Sequence, residues 1–142
     1  MSRQASSAAA LTAVLLTACA GAPQGGRDWC AEAFAHSDGL LRAGLDEYVE
    51  KMKRFTLARD PQVSTARAEA RVHDRAAAWS TAHQGPAVEE CRGWSEERLV
   101  CVLEARHASE LGPCGLESLV QSFTDEVVAE YAAKPFDEGS GG

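Results

Sequence analysis

The side chains able to do chemistry in this sequence are four histidines, a run of arginines, paired carboxylates, three tryptophans and five cysteines. His36, His73, His83 and His107 never fall at the i, i+4 spacing that turns two imidazoles of one helix toward one metal ion. His73 is followed by Asp74, but adjacent helical residues point in different directions, so the two cannot form a base and its orienting carboxylate. Glu89-Glu90 and Glu96-Glu97 have the composition of an acid/base pair and the placement of solvated surface neighbours. Without a Gly-x-Ser-x-Gly elbow, a phosphate-cradling loop or a dinucleotide fingerprint, the sequence predicts a protein that is not an enzyme and holds no cofactor or metal.

Arg67, Arg71 and Arg75 stand four apart on one face of a predicted helix, where like charges repel. An acidic neighbour is therefore expected, either the chain's own C-terminal half or a bound anion or partner. Trp29, Trp79 and Trp94 are expected to pack in the core or between helices. Trp94, at a glycine-bearing corner, joins the three arginines as a candidate partner contact.

Cysteine supplies the most specific signal. Cys19 follows Arg3 and a run of small and apolar residues from Ala8 to Ala18 centred on Val14, Leu15 and Leu16, the pattern of an export signal. Such a run is too short for a hydrocarbon core of ~30 Å, which takes ~20 helical residues. Leu16-Thr17-Ala18-Cys19 resembles the lipobox of bacterial lipoproteins: an aliphatic residue, two small ones, then cysteine. The resemblance implies transfer of diacylglycerol to the Cys19 thiol, cleavage before Cys19 and acylation of the new amine, with palmitate-type chains. A plain secretory signal cut at Ala18-Cys19-Ala20 is the alternative. Two or three chains hold a protein stably on a bilayer where one does not, at ~0.8 kcal/mol per buried methylene. Similarity to Gram-negative sorting, with Ala20 rather than aspartate after the lipidated cysteine, implies the outer membrane and its periplasmic leaflet.

The expected organisation is a signal peptide over 1–18, a lipidated cysteine with a Gly/Pro-rich tether over 19–28, a helical domain over 29–136 and a disordered tail over 137–142. A tether of this kind reaches roughly 15–18 Å, enough to hold a domain just off the headgroups. In an exported domain Cys30, Cys91, Cys101 and Cys114 are expected to form two disulfides. Three pairings are open; antiparallel packing of the first two helices would bring the start of one to the end of the next and favours Cys30–Cys91 with Cys101–Cys114. Zinc is the other use of four cysteines, but spacings of 61, 10 and 13 contain no Cys-x-x-Cys knuckle.

These groups must be carried by helices. Leu41, Leu45, Tyr48, Met52 and Phe55 are spaced 4, 3, 4, 3 and predict an apolar seam on a helix from Trp29 to Arg59, with a break near Ser37-Asp38-Gly39. Asp60-Pro61 predicts the cap and first residue of a second helix running to His83, ended by Gln84-Gly85-Pro86. Its stripe is Val63, Ala66, Ala70, His73 and Ala77, with Val72, Ala76 and Trp79 beside it. A short turn through Cys91 and a break at Gly93 follow. Ser95 predicts the cap of a helix reaching His107, and a last helix from Leu116 to Ala133 carries Leu116, Val120, Phe123, Val127 and Tyr131. The fold class is all-α: a small bundle of four to five helices stapled by two disulfides.

The segment Cys91-x-x-Trp94-Ser95-x-Glu97-x-x-x-Cys101-x-x-x-Ala105, ending at Cys114, resembles a four-cysteine pattern of myxobacterial cell-envelope proteins, and Cys30 fits the same scheme. That resemblance implies a disulfide-stapled helical fold. The 142 residues carry a net charge of −7 from 14 Lys+Arg against 21 Asp+Glu, so a phosphate backbone is repelled and nucleic acid is not an expected partner. Charge is uneven: residues 20–85 have nine acids and nine bases, residues 86–142 twelve acids and four bases. Together these features predict a membrane-anchored envelope lipoprotein that binds an envelope protein, as an accessory or assembly module of a motility, secretion, transport or wall-associated complex. A periplasmic small-molecule or metal-binding lipoprotein is the alternative.

Overall fold

A computed structural model describes residues 26–135, all in helices and short connections; the signal segment, Cys19, most of the tether and the tail lie outside the described residues. Helix α1 spans Trp29–Arg59. It starts where the Asp28 carboxylate accepts from the backbone N–H groups of Cys30 and Ala31, at 3.1 and 3.2 Å, filling two of the donors that every helix leaves open. Arg27 is tied in as well, to Glu32 at 2.8 Å and over the Trp29 ring, so these last two tether residues belong to the folded domain.

The expected break at Ser37-Asp38-Gly39 does not occur. The Ser37 hydroxyl, buried, donates to Ala33 O at 2.8 Å, and Asp38 accepts from Arg42 one turn on and from Ser80 of the next helix. Side chains that favour turns when exposed are here satisfied within the helix and across it. The seam also turns out shifted: Leu41 and Leu45 are buried with Ala33, Phe34, Val49 and Thr56, whereas Phe55 is 60% exposed.

Helix α2 spans Ala66–Cys91, offset from the expected bounds at both ends. Asp60 caps the end of α1 with its N–H on Thr56 O at 2.8 Å, and its carboxylate accepts from Gln62 N, so Asp60-Pro61 makes the turn and does not start the helix. At the far end α2 runs straight through Gln84-Gly85-Pro86 for two more turns. A proline inside a helix removes one N–H donor and crowds the preceding turn; the disulfide at Cys91 and the packing of Ala87 and Val88 on the core offset that cost. The core stripe is Ala68, Val72, Ala76 and Trp79, while Ala66, Ala70, His73 and Ala77 face outward.

Helix α3, Glu96–Glu104, begins as expected at Ser95, whose hydroxyl accepts from Arg98 N at 3.2 Å, but ends before His107 because Ala105 turns extended. A 3-10 turn at Ala108–Glu110 and a π turn at Gly112–Leu116 lead to α4, Glu117–Phe123, a second π turn at Thr124–Val128 and α5, Ala129–Ala133, in unbroken succession. Gly115 has φ +89°, a conformation that favours glycine, and a Cβ there would press on the Arg98 guanidinium, 3.0 Å from Nε. Of the predicted stripe, Leu116, Phe123, Val127 and Tyr131 are buried and Val120 is half-buried, while the single helix expected there is divided by the π turn at Thr124–Val128. Trp79 is the hub of the core, edge-on to Phe123 at 5.0 Å and stacked on His83 at 4.5 Å. No helix among the described residues is long and apolar enough to cross a membrane.

Candidate functional site

Two disulfides fix the frame: Cys30–Cys91 joins the start of α1 to the end of α2, and Cys101–Cys114 joins α3 to the first π turn. The Cys30–Cys91 bridge makes α1 and α2 an antiparallel hairpin. Trp94 sits just beyond it, half-buried beneath the Arg98 guanidinium at 4.4 Å, and Arg98 Nη2 also donates to Gly115 O. The ring lines an apolar cleft with Phe34, Ala87, Leu116, Leu119 and the Cys30–Cys91 bridge. Its free room is about 30 Å3, fit for a water or two and far below a metabolite site of ~300 Å3. The indole Nε1 is buried without a hydrogen-bond partner.

The arginine stripe lies along the seam between α2 and the last helical run. Arg75 pairs with Glu130 at 3.0 Å and donates to Glu126 O, and Arg71 donates to Lys134 O at 2.7 Å. For Arg75 the acidic neighbour expected beside these cations is Glu130 of the chain's own C-terminal half. Arg67 is exposed and engaged in an interaction of its own. Trp94 lines one cleft, and Arg71 and Arg75 another, between α2 and the last helical run.

Three of the four histidines, His36, His73 and His83, have a structural employment. His36 Nε2 lies 2.7 Å from Ala105 O, tying the end of α3 to α1. His73 faces Asp46 of α1 at 3.7 Å, not Asp74. His83 Nε2 lies 3.4 Å from Ser122 Oγ and 3.6 Å from Glu126, a Ser-His-Glu grouping that the sequence spacing did not reveal because α2, α4 and the second π turn each supply one part. It lacks the relay of a hydrolytic triad. Serine and carboxylate address the same ring nitrogen, and the Ser122 hydroxyl donates to Glu126 at 3.2 Å while accepting from Trp79 Nε1 at 3.0 Å. The described residues contain no cluster of three or more metal-ligating side chains.

Charge perturbations are few and structural. The Glu110 carboxyl is held below the usual range by the backbone N–H groups of Arg106 and His107, which it accepts while closing the turn after α3. The Glu69 carboxyl is lowered first by the Thr65 hydroxyl, with Lys53 adding to the shift. Burial pushes the Tyr131 hydroxyl up.

The surface features missed by sequence reasoning are apolar and exposed: Trp29 at 47%, Phe55 at 60% and Val100 at 42%. Trp29 was expected to pack, and instead stands beside Arg27 at the start of the domain. Phe55 fits the period of the α1 seam, but the core ends one turn earlier on that face. Comparison with protein families, with curated proteins and with solved structures finds no match for this chain.

Proposed function

We propose that this protein is a lipid-anchored component of the cell envelope whose helical domain binds another protein as an accessory or assembly module. The observation that carries the reading is the pair of disulfides closed within one small helical domain, which is the chemistry of an oxidising compartment. It stands directly behind a segment resembling a lipobox at Leu16-Thr17-Ala18-Cys19. An anchor of this kind would attach the domain at the Cys30 end of the α1–α2 hairpin, opposite the turn at residues 60–65. The narrow cleft beside Trp94 favours a protein surface over a bound metabolite as the working part. Fatty-acid labelling and membrane fractionation of the full chain beside Cys19→Ser test the anchor. Label and membrane retention in the wild type, both lost in the variant, are expected; equal behaviour of the two overturns it.

A further inference from the structure

The face of α1 that carries α3 and the 3-10 turn is covered over only part of its length. His36 meets Ala105, and a Cβ at Gly44 would touch Ala108 at 3.6 Å. Lys51 and Phe55 lie 7 and 11 residues beyond Gly44, close to two and three turns, so they continue that same side past the end of its cover. There Lys51, Arg54, Phe55 and Arg59 are all exposed, and the Arg59 guanidinium rests 5.8 Å from the Phe55 ring. Among the described residues neither Lys51 nor Arg54 forms an ion pair; Glu50 is held by Lys53 at 3.9 Å, and Glu47, exposed one turn before Lys51, marks the near border of the patch. The result is a cationic patch with an aromatic centre.

The outer face of α3 is its complement. Val100 is exposed between Glu96, Glu97 and Glu104, at i−4, i−3 and i+4, and with Ser95 and Cys101 they line a shallow open depression. Arg98, the cation within this stretch, is turned away onto Trp94 and Gly115, leaving the face acidic. The two patches cannot meet in one molecule. His36, bonded to the end of α3, and Phe55 are separated by about 28 Å of rigid helix at 1.5 Å per residue.

We propose that these patches join two copies of this chain head to tail, the Val100 face of one α3 seated on the uncovered Lys51-Arg54-Phe55-Arg59 face of the next α1. The occupant is argued from charge: three cations around one exposed apolar side chain on one end of the molecule, three carboxylates around another on the opposite end. Because the surfaces differ, the contact is heterologous and leaves a free patch at each end of a pair, so it propagates into closed rings or open rows rather than stopping at a dimer. The inference rests on the protein-binding part of the function proposed above and not on the lipid anchor.

The test is photocrosslinking of the full chain in its own membranes, with a benzophenone amino acid at Val100, in wild-type and Cys19→Ser backgrounds. The expected product is a covalent homodimer and a ladder above it, with the label on the 51–59 segment of the second copy. Lys51→Glu with Arg54→Glu, or Glu96→Lys with Glu97→Lys, is expected to lower the yield about fivefold or more, and the four changes together to restore it. All sites are exposed, and circular dichroism checks that each variant keeps its helices. No homodimer from Val100, a label on α3 of the second copy, capture of a different protein instead, or no recovery in the combined variant overturns the proposal. Loss of self-contact in the Cys19→Ser background alone would make the contact a product of membrane concentration and overturn it as a property of the domain, while fatty-acid labelling judges the anchor separately.

Discussion

Tyr131 shows what a single buried polar group does to stability. Its ring is 2% exposed, edge-on to Tyr48 at 6.0 Å, and its hydroxyl has no hydrogen-bond partner. An unsatisfied buried hydroxyl costs about 1–3 kcal/mol, so Tyr131→Phe is expected to leave stability at pH 7 unchanged or raise it by about 1 kcal/mol in urea unfolding. The neutral phenol is favoured by burial, so the folded pKa lies above 10.0. Stability from this group is therefore complete below 10.0 and lost as pH rises through the folded value. Tyr131→Phe should remove that alkaline loss, and an unchanged alkaline slope would contradict it. Glu69 has the opposite sign: its pKa lies below 4.5, so its contribution is present above 4.5 and lost as pH falls through the lowered folded value. Glu69→Gln is expected to flatten the acid limb of an unfolding-against-pH curve, and an unaltered limb would exclude the Thr65 and Lys53 contacts as the cause.

At the scale of elements, the two disulfides differ in the loops they close. Cys30–Cys91 spans a separation of 61 and Cys101–Cys114 one of 13. Loop-closure entropy gives about 4 kcal/mol for the first and about 3 for the second. Replacing each pair by serine should therefore lower unfolding free energies in that order, measured by denaturant titration. Pro86 is an element-scale cost that the fold tolerates. Pro86→Ala restores a donor toward Ala82 O in a helix that already runs through this point, and is expected to raise stability by about 1–3 kcal/mol. A loss instead would mean that proline shapes the turn leading to Cys91.

These same elements show where the sequence was legible. The buried stripe of Leu116, Phe123, Val127 and Tyr131 follows from period, and the Ser95 cap from residue type. Asp60-Pro61 and Gln84-Gly85-Pro86 misled because their local preferences are honest but weak, about 1–3 kcal/mol, and long-range partners overrode them. Asp60 found Thr56 and Gln62, and Pro86 was carried through by Cys91 and the apolar residues before it.

For the whole molecule, the distribution of charge matters more than its total. The acidic half supplies Glu130 and backbone carbonyls to Arg71 and Arg75 on one side and leaves Glu96, Glu97 and Glu104 uncovered on another. Glu130→Gln is expected to cost at most about 1 kcal/mol, because the Arg75 pair is half-exposed and screened. Its measured melting point should stay near that of the wild type. A large drop would mean that the stripe holds the last helix in place electrostatically rather than by the apolar contacts of Val127 and Tyr131.

The sequence by itself determined the helical class, the four cysteines spread along the helical region and the imbalance of charge, because each depends on residue type and short-range period. Tertiary structure alone decided that α1 passes unbroken through Gly39 and that His83, Ser122 and Glu126 converge without forming a relay, and among three open pairings it bears out the favoured one, Cys30 with Cys91 and Cys101 with Cys114. It also decided which half of the α1 face stays bare. Each of these outcomes depends on what a neighbouring helix places beside a residue, and burial, hydrogen-bond partners and charge pairing at long range outweigh the local preferences that a sequence displays.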